Sequence, residues 1–417
     1  MVRGASDPPR DASRTDDECL TDEQRLAWLQ LIRSENVGPV TFRELIRHFG
    51  SAEAAIEGLP ELAARSGRRV RVAGRAEAER EIEQLARLGG QFVAIRERSY
   101  PAWLKAIDAA PPLISLRGTV DVLARPMIAI VGARSASVVG CRLAQRLARD
   151  LGDAGFVIVS GLARGIDAAA HQAALAGGTV AVFAGGLDRL YPPENAALAA
   201  RILEAGGAHV SEMPLGWEPR SRDFPRRNRL VSGMASGTLL VEAAQRSGSL
   251  ITARLAGEQG RAVFAVPGSP LDPRAAGTNQ LIKQGAHLVT EAGDVLEIVA
   301  PMLGRAFAPP PDWLAARDDG MAERAFDGAA FFTGMFDADG ASGSGEGDSE
   351  PSASAPSEPT QSERERLIEA LGPVPTEIDA LIRFTNLPAA LVQGLLLELD
   401  LAGRIEHHAG QRVSLLE

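Results

Sequence analysis

The sequence predicts an α/β protein built on a doubly wound, mostly parallel sheet, with one small domain before it and another after it. Two observations carry this expectation. Between Pro126 and Thr290, short apolar runs alternate with segments of helical spacing, the pattern of successive strand–helix–strand units. Several of those runs end in glycine-containing turns, such as Gly132-Ala133-Arg134 and Gly185-Gly186. In sheets of this kind ligands bind beyond the carboxyl ends of the strands, so those turns mark the edge to watch.

Taken in order, residues 1–19 hold no apolar stretch of the kind a signal peptide needs and read as a disordered start. Residues 20–78 read as a helical domain. Thr21 and Asp22 offer an N-cap ahead of Leu26, Leu29 and Ile32, and NVGPV sits between two helices in the manner of helix-hairpin-helix and SAM-like modules. Such a hairpin can hold a phosphate on free N–H groups; a plain packed αα-hairpin explains it equally well. Residues 79–304 carry the sheet, opening with a proline-stiffened connector to which no chemistry is assigned. Strands are expected at Met127–Val131, Phe156–Val159, Thr179–Ala184, Ala208–Ser211, Thr238–Val241, Ala262–Val266 and His287–Thr290. Residues 305–361, rich in Gly, Ser, Pro and Asp, read as a flexible acidic linker. Residues 362–417 give two helices, a short turn and two β-like pieces around Gly410, resembling a winged helix. Its would-be recognition helix, Pro388–Leu401, has no Lys or Arg, which points to protein contacts rather than a DNA groove.

The formal net charge of −10 is unevenly spread. Residues 306–360 hold 11 acids against 2 basic residues, and 361–417 hold 9 against 5, leaving residues 1–305 at about +3. The body of the chain is therefore mildly basic. No apolar stretch is long enough to cross a membrane, and two cysteines, Cys19 and Cys141, fit a reducing cytoplasm better than a disulfide framework.

The chain is organised around Phe224 to Ala253, FPRRNRLVSGMASGTLLVEAAQRSGSLITA. Arg226, Arg227, Asn228 and Arg229 lead into small residues read as a turn (Ser232, Gly233, Ser236, Gly237), then an apolar strand, then a second small turn, Ser247-Gly248-Ser249. Arginines beside turns that leave backbone N–H groups accessible suit a polyanion. Cofactor chemistry is missing. Arg134 replaces the second glycine of a dinucleotide fingerprint, no acid ends the second strand, and no P-loop is present. The six histidines show no metal spacing. Neither a cofactor nor a metal is therefore expected. Asp167 and His171 share one helical face, read as a capping acid and a packed imidazole rather than a hydrolytic pair. Glu242 reads as a residue that orients an arginine more than as a catalytic carboxylate.

Together the motifs resemble the DNA-processing protein A (DprA/Smf) family of bacteria. The matching text is VGARSAS from Val131, SGLARGIDAAAH from Ser160, GGLDRLYPPENAAL from Gly185, FPRRNRLVSG from Phe224, VEAAQRSGSLITARLAGEQGRAVFAVPG from Val241 and GTNQLIKQGA from Gly277. The resemblance implies an extended Rossmann fold with a SAM-like domain before it and a winged helix after it. It further implies a cytoplasmic, dimeric, non-enzymatic protein that protects incoming single-stranded DNA in natural transformation and loads the RecA recombinase. Carried over residue by residue, the DNA site comprises Arg134, Ser160, Gly161, Arg164, Phe224, Arg226, Arg227 and Asn228, with Ser247, Gly248 and Ser249 beside them. Arg134 and Arg227 are expected on phosphates, Asn228 on a base edge or bracing Arg227, and Phe224 stacked on a base or packed as a core or lid aromatic. Two rival readings stand beside this one. One is a nucleotide phosphoribohydrolase related to the lysine-decarboxylase-like (LOG) family, whose PGGxGTxxE is only partly matched by VSGMASGTLLVEA. The other is an adaptor acting through the winged domain.

Overall fold

The structure, a computed structural model, describes residues 19–65, 70–303, 360–401, 404–408 and 412–415. The expected disordered start and acidic linker lie outside these residues, apart from their edges.

The first helices form where the capping chemistry puts them. Helix α1 (Asp22–Ile32) begins at a reciprocal cap in which the Thr21 hydroxyl accepts the Gln24 N–H and the Gln24 side chain accepts the Thr21 N–H. Helix α2 (Pro39–Phe49) starts with proline in its first turn and ends at Gly50, whose φ of 84° needs a residue without Cβ. Helices α3 (Ala52–Arg65) and α4 (Arg75–Arg87) complete the domain. Arg33 ties it to the sheet domain: its guanidinium binds Glu81 at 2.8 Å and donates to the Glu212 carbonyl at 3.1 Å.

The connector, read from sequence as helix and short extended pieces, forms two strands around a short helix. Strands β1 (Gly90–Ala94) and β2 (Leu113–Gly118) flank the short helix α5 (Ala102–Lys105) and pair antiparallel. Then the expected alternation unfolds as β3 (Met127–Val131), α6 (Val138–Asp153), β4 (Val157–Ser160), α7 (Ile166–Ala173), β5 (Thr179–Val182), α8 (Ala196–Glu204) and β6 (Ala208–Ser211). It continues with α9 (Asp223–Met234), β7 (Gly237–Leu240), α10 (Gly248–Glu258), β8 (Ala262–Ala265), α11 (Ala276–Lys283), β9 (His287–Leu288) and α12 (Ala292–Leu303).

These strands make one nine-stranded sheet in the order β1-β2-β6-β5-β4-β3-β7-β8-β9. From β6 to β9 every pair is parallel, and β1 and β2 add an antiparallel edge. The chain winds outward from β3 to β6, then crosses back to place β7 on the other side of β3. The reason β3 reads as an unbroken apolar run is now visible: Met127, Ala129 and Val131 enter the core on one face, Ile128 and Ile130 the core on the other.

The last domain packs α13 (Gln361–Ala370), α14 (Ile378–Thr385) and α15 (Ala389–Leu401) against a small sheet of β10 (Thr376–Glu377), β11 (Ile405–His408) and β12 (Arg412–Leu415). This is the expected winged helix. It sits on the sheet domain. Val138, at the start of α6, joins its core with Leu381 and Val392, and Arg274 donates to the carbonyls of Glu369 and Leu371 at 2.6 and 2.7 Å. Those carbonyls close α13, where the helix dipole favours a cation.

Two histidines of the sheet domain are held neutral by the fold. His171 is fully buried, and burial lowers its pKa to about 3; His209, also buried, is lowered to about 4. In an unfolded chain both protonate near 6.5. The folded state resists this, so stability is complete above that value and falls as pH drops towards the folded-state values. Each histidine should cost roughly 2 kcal/mol at pH 5. A chemical-denaturation series between pH 7.5 and 5 should show this loss, and His171→Gln should remove part of its slope.

Candidate nucleic-acid interface

The carboxyl ends of the parallel strands form a rim on which most of the singled-out residues meet. At its centre lies the place where a dinucleotide fold would seat a phosphate, the N-terminus of α6 beside β3. That seat is taken by the protein itself. The Glu242 carboxylate accepts the Ser137 N–H at 2.9 Å and the Ser137 hydroxyl at 2.5 Å, while the Glu242 carbonyl accepts the Ala133 N–H at 2.7 Å. The helix N-terminus thus has its negative partner already. Glu242 orients a helix rather than an arginine, which corrects the expectation for it. Its carboxylate raises the buried thiol of Cys141 further, after desolvation has done most of the work, to about 12.

Helix α9 crosses this rim, and it revises the sequence reading in two ways. Ser232 and Gly233 are its last turn rather than a loop. Arg227, expected on a phosphate, is buried beneath it at 6% exposure. Its guanidinium donates to the carbonyls of Gly161 and Val182, both at 2.5 Å, and to the Asn228 side-chain oxygen at 3.3 Å. Those carbonyls lie at the ends of β4 and β5, so Arg227 pins the helix to the sheet. Desolvation lowers its pKa to about 10, with the Asp167 charge opposing and the Arg134 charge adding to the fall. Asp167 in turn is raised by burial and pulled back by Arg227; its carboxylate accepts the N–H groups of Gly161 and Ala163 at 3.1 and 3.4 Å.

Ser160 and Gly161 belong to the same support. The Ser160 hydroxyl donates to the Ile130 carbonyl at 2.6 Å and is wholly buried. A Cβ on Gly161 would stand 2.4 Å from the Arg227 guanidinium, so any side chain here must displace that group from its carbonyls. Both were expected to touch ligand; their hydrogen-bonding groups are directed inward instead. His171, next to this layer, has its Nδ1 at 2.7 Å from the Thr179 hydroxyl, whose proton goes to the Ile158 carbonyl. The ring therefore donates from Nδ1, and His171 is the packed imidazole expected; Asp167, read as a capping acid, instead accepts from the turn before α7, whose N-cap Gly165 receives no side-chain bond.

The residues left facing outward are fewer and better defined. Arg134, in the turn after β3, is exposed and lies over the Phe224 ring at 5.4 Å from its centroid; among the described residues it has no carboxylate partner. Phe224 is half-buried in the first turn of α9, and its ring meets Tyr191 at 5.4 Å and 65°. Arg226 is half-exposed and bound to Glu212 at 3.0 Å; Arg229, mostly buried, binds the other oxygen of the same carboxylate. Arg164 pairs with Glu194, both at the surface, a bond weak enough for a phosphate to displace. Asn228 braces Arg227 and reaches towards the Gly248 carbonyl at 3.5 Å. Ser247 caps α10, accepting the Ser249 N–H, with Gly248 exposed between them. The arginines are thus gathered on one side of the sheet, and a carboxylate restrains some but not all of them. Among the described residues no cluster of His, Cys, Asp and Glu is arranged to hold a metal.

Sequence reasoning passed over Tyr191 and Arg222. Both are exposed; Tyr191 lies in the loop after β5, and Arg222 is the residue before α9. Their signal was available, since the turn after each strand was already the place to look.

Comparison with known proteins adds the family. Residues 91–300 match the model of DNA recombination-mediator protein A, residues 22–84 the DprA-like N-terminal HHH domain and residues 351–411 the DprA winged helix domain. Protein Smf of Synechocystis is 30% identical over 416 residues, spanning 94% of this chain and 99% of its own. The chain belongs to the DprA/Smf family. Protein Smf of Escherichia coli is 48% identical over 200 residues, 48% of this chain, and the match spans only about half (54%) of that relative's length. The DNA processing protein DprA of Bacillus subtilis is 41% identical over 50% of this chain and 71% of its own. Among solved structures, DprA of Streptococcus pneumoniae superposes with a TM-score of 0.52 at 36% identity, covering 67% of this chain and 93% of that one.

The geometry separates the two arginines that the sequence treated alike. Arg227→Ala removes the donor from two carbonyls and the positive charge beside buried Asp167, and should destabilise the protein by about 3 kcal/mol. Arg134→Ala, at an exposed turn, should change stability by less than about 0.5 kcal/mol. Thermal melts of the two variants beside the wild type check both values. Gly161→Ala should resemble Arg227→Ala, because the added methyl displaces the guanidinium.

Proposed function

We propose that this protein binds single-stranded DNA along the rim, protects it, and hands it to the RecA recombinase in natural transformation and recombination. The observation that carries the reading is the pair of Arg134 and Phe224, an exposed cation with no carboxylate partner among the described residues, lying on a half-buried aromatic ring. Arg134, Arg164, Arg222 and Arg226 offer charge to phosphates, and the aromatic side chains offer surfaces to unpaired bases. The winged domain does not compete for this role, since α15 has no basic residue to enter a groove. Family membership supports DNA as the ligand; dimerisation, transfer to RecA and a cytoplasmic location are inferred from the family resemblance.

The protein acts as a binder rather than an enzyme in this reading. The glutamate that a phosphoribohydrolase would need, Glu242, caps α6 from inside the fold. Incubation with nucleoside monophosphates should therefore release no free base.

A gel shift with matched single- and double-stranded oligonucleotides tests the ligand directly. The single strand should bind tighter, with little dependence on sequence, and affinity should fall steeply between 50 and 200 mM salt (roughly ten-fold or more). Arg134→Ala should weaken binding several-fold and reduce the salt slope by about one. Tighter binding to duplex, or an unchanged affinity in this variant, would count against the rim.

A further inference from the structure

The chain has two tyrosines, and the fold treats them in opposite ways. Tyr100 is buried, its hydroxyl donating to the Pro111 carbonyl at 2.8 Å. Tyr191 is 49% exposed, and its hydroxyl makes no hydrogen bond among the described residues. Its ring touches Phe224, and much of the rest lies open to solvent.

The loop is well anchored. Pro192 is buried, and the Asn195 side chain donates to the Leu162 and Ala163 carbonyls at 2.8 and 3.2 Å. That bond ties the loop after β5 to the turn after β4. The tyrosine ring is thereby held beside Phe224 without any ligand to order it. Phe224 is contacted by both Arg134 and Tyr191 and is half-buried, so little of its ring remains for a base. Tyr191 is the member of the row with an open surface. Glu194, three residues further on, binds Arg164, so the same loop also holds a displaceable arginine.

We propose that Tyr191 is a base-stacking surface of the rim. An unpaired base lies on its open ring while the neighbouring phosphates meet Arg134 and Arg164. The inference rests on the DNA-binding reading above and deepens it. It moves the main stacking contact from Phe224, which buttresses, to Tyr191, which receives. It also supplies a physical reason for preferring single strands, because a duplex hides the faces of its bases in its own stack.

The test uses the full chain and thymidine 20-mers, some with one 2-aminopurine, read by anisotropy and by 2-aminopurine emission. Tyr191→Ala should weaken binding about ten-fold and restore emission that the wild type quenches. Tyr191→Phe should bind within about two-fold of wild type, whereas Tyr191→Leu should resemble the alanine variant. The salt slope should stay at its wild-type value in all three, because no phosphate contact is lost, in contrast to Arg134→Ala. If the wild type binds but Tyr191→Ala matches it in affinity and quenching, the inference fails while the rim stands. Rescue by leucine equal to phenylalanine would also overturn it, showing apolar packing rather than stacking. A wild type that binds no oligonucleotide sinks the rim reading and this inference with it.

Discussion

The buried guanidinium of Arg227 is the constraint on which the rim depends. Taking an arginine out of water is costly, and here the loss is offset by two carbonyls and a buried carboxylate nearby. Much follows from that one placement. Gly161 must lack a side chain, α9 must lie across the ends of β4 and β5, and Asn228 must face its neighbour rather than solvent. Once α9 is fixed, Phe224 in its first turn lies under the Arg134 guanidinium, and Arg226 lies against Glu212. The side chain that the sequence assigned to the ligand therefore fixes α9 on the sheet.

Acids shape the rest of the rim as much as arginines do. Glu212 is buried and holds Arg226 and Arg229 together, while its backbone carbonyl receives Arg33 from the N-terminal domain. A single residue thus joins the helical domain to the helix carrying the arginines. Glu242 closes the cofactor seat, and Glu194 holds Arg164 only at the surface. Of these, Glu212 and Glu194 hold arginines and differ in burial: Arg229 is committed to the fold by the buried Glu212, whereas Arg164 meets Glu194 in solvent.

Much of this was legible in the sequence. The strand–helix alternation gave the parallel sheet and most of its strands, because runs such as Met127–Val131 are buried on both faces and read as unbroken apolar segments. Short extended pieces were legible in the connector, but not that β1 and β2 pair as an antiparallel edge of the sheet, since so few residues show no period. At the site, the motif placed its residues on one edge of the sheet but could not tell inward from outward. Arg134 and Arg227 look alike in sequence. Only the packing of α9 on β4 and β5 shows that one is covered and the other open. Tyr191 lies in a turn after a strand, so its position was legible, but a tyrosine before a proline carries no charge pattern of its own.

Glu242 has one more consequence. A nucleotide pocket has a floor, and the floor measures its ligand: one cofactor enters, and the cavity is full. By filling that floor with its own carboxylate, the chain gives up that measure: no cavity at the start of α6 sizes what meets the rim.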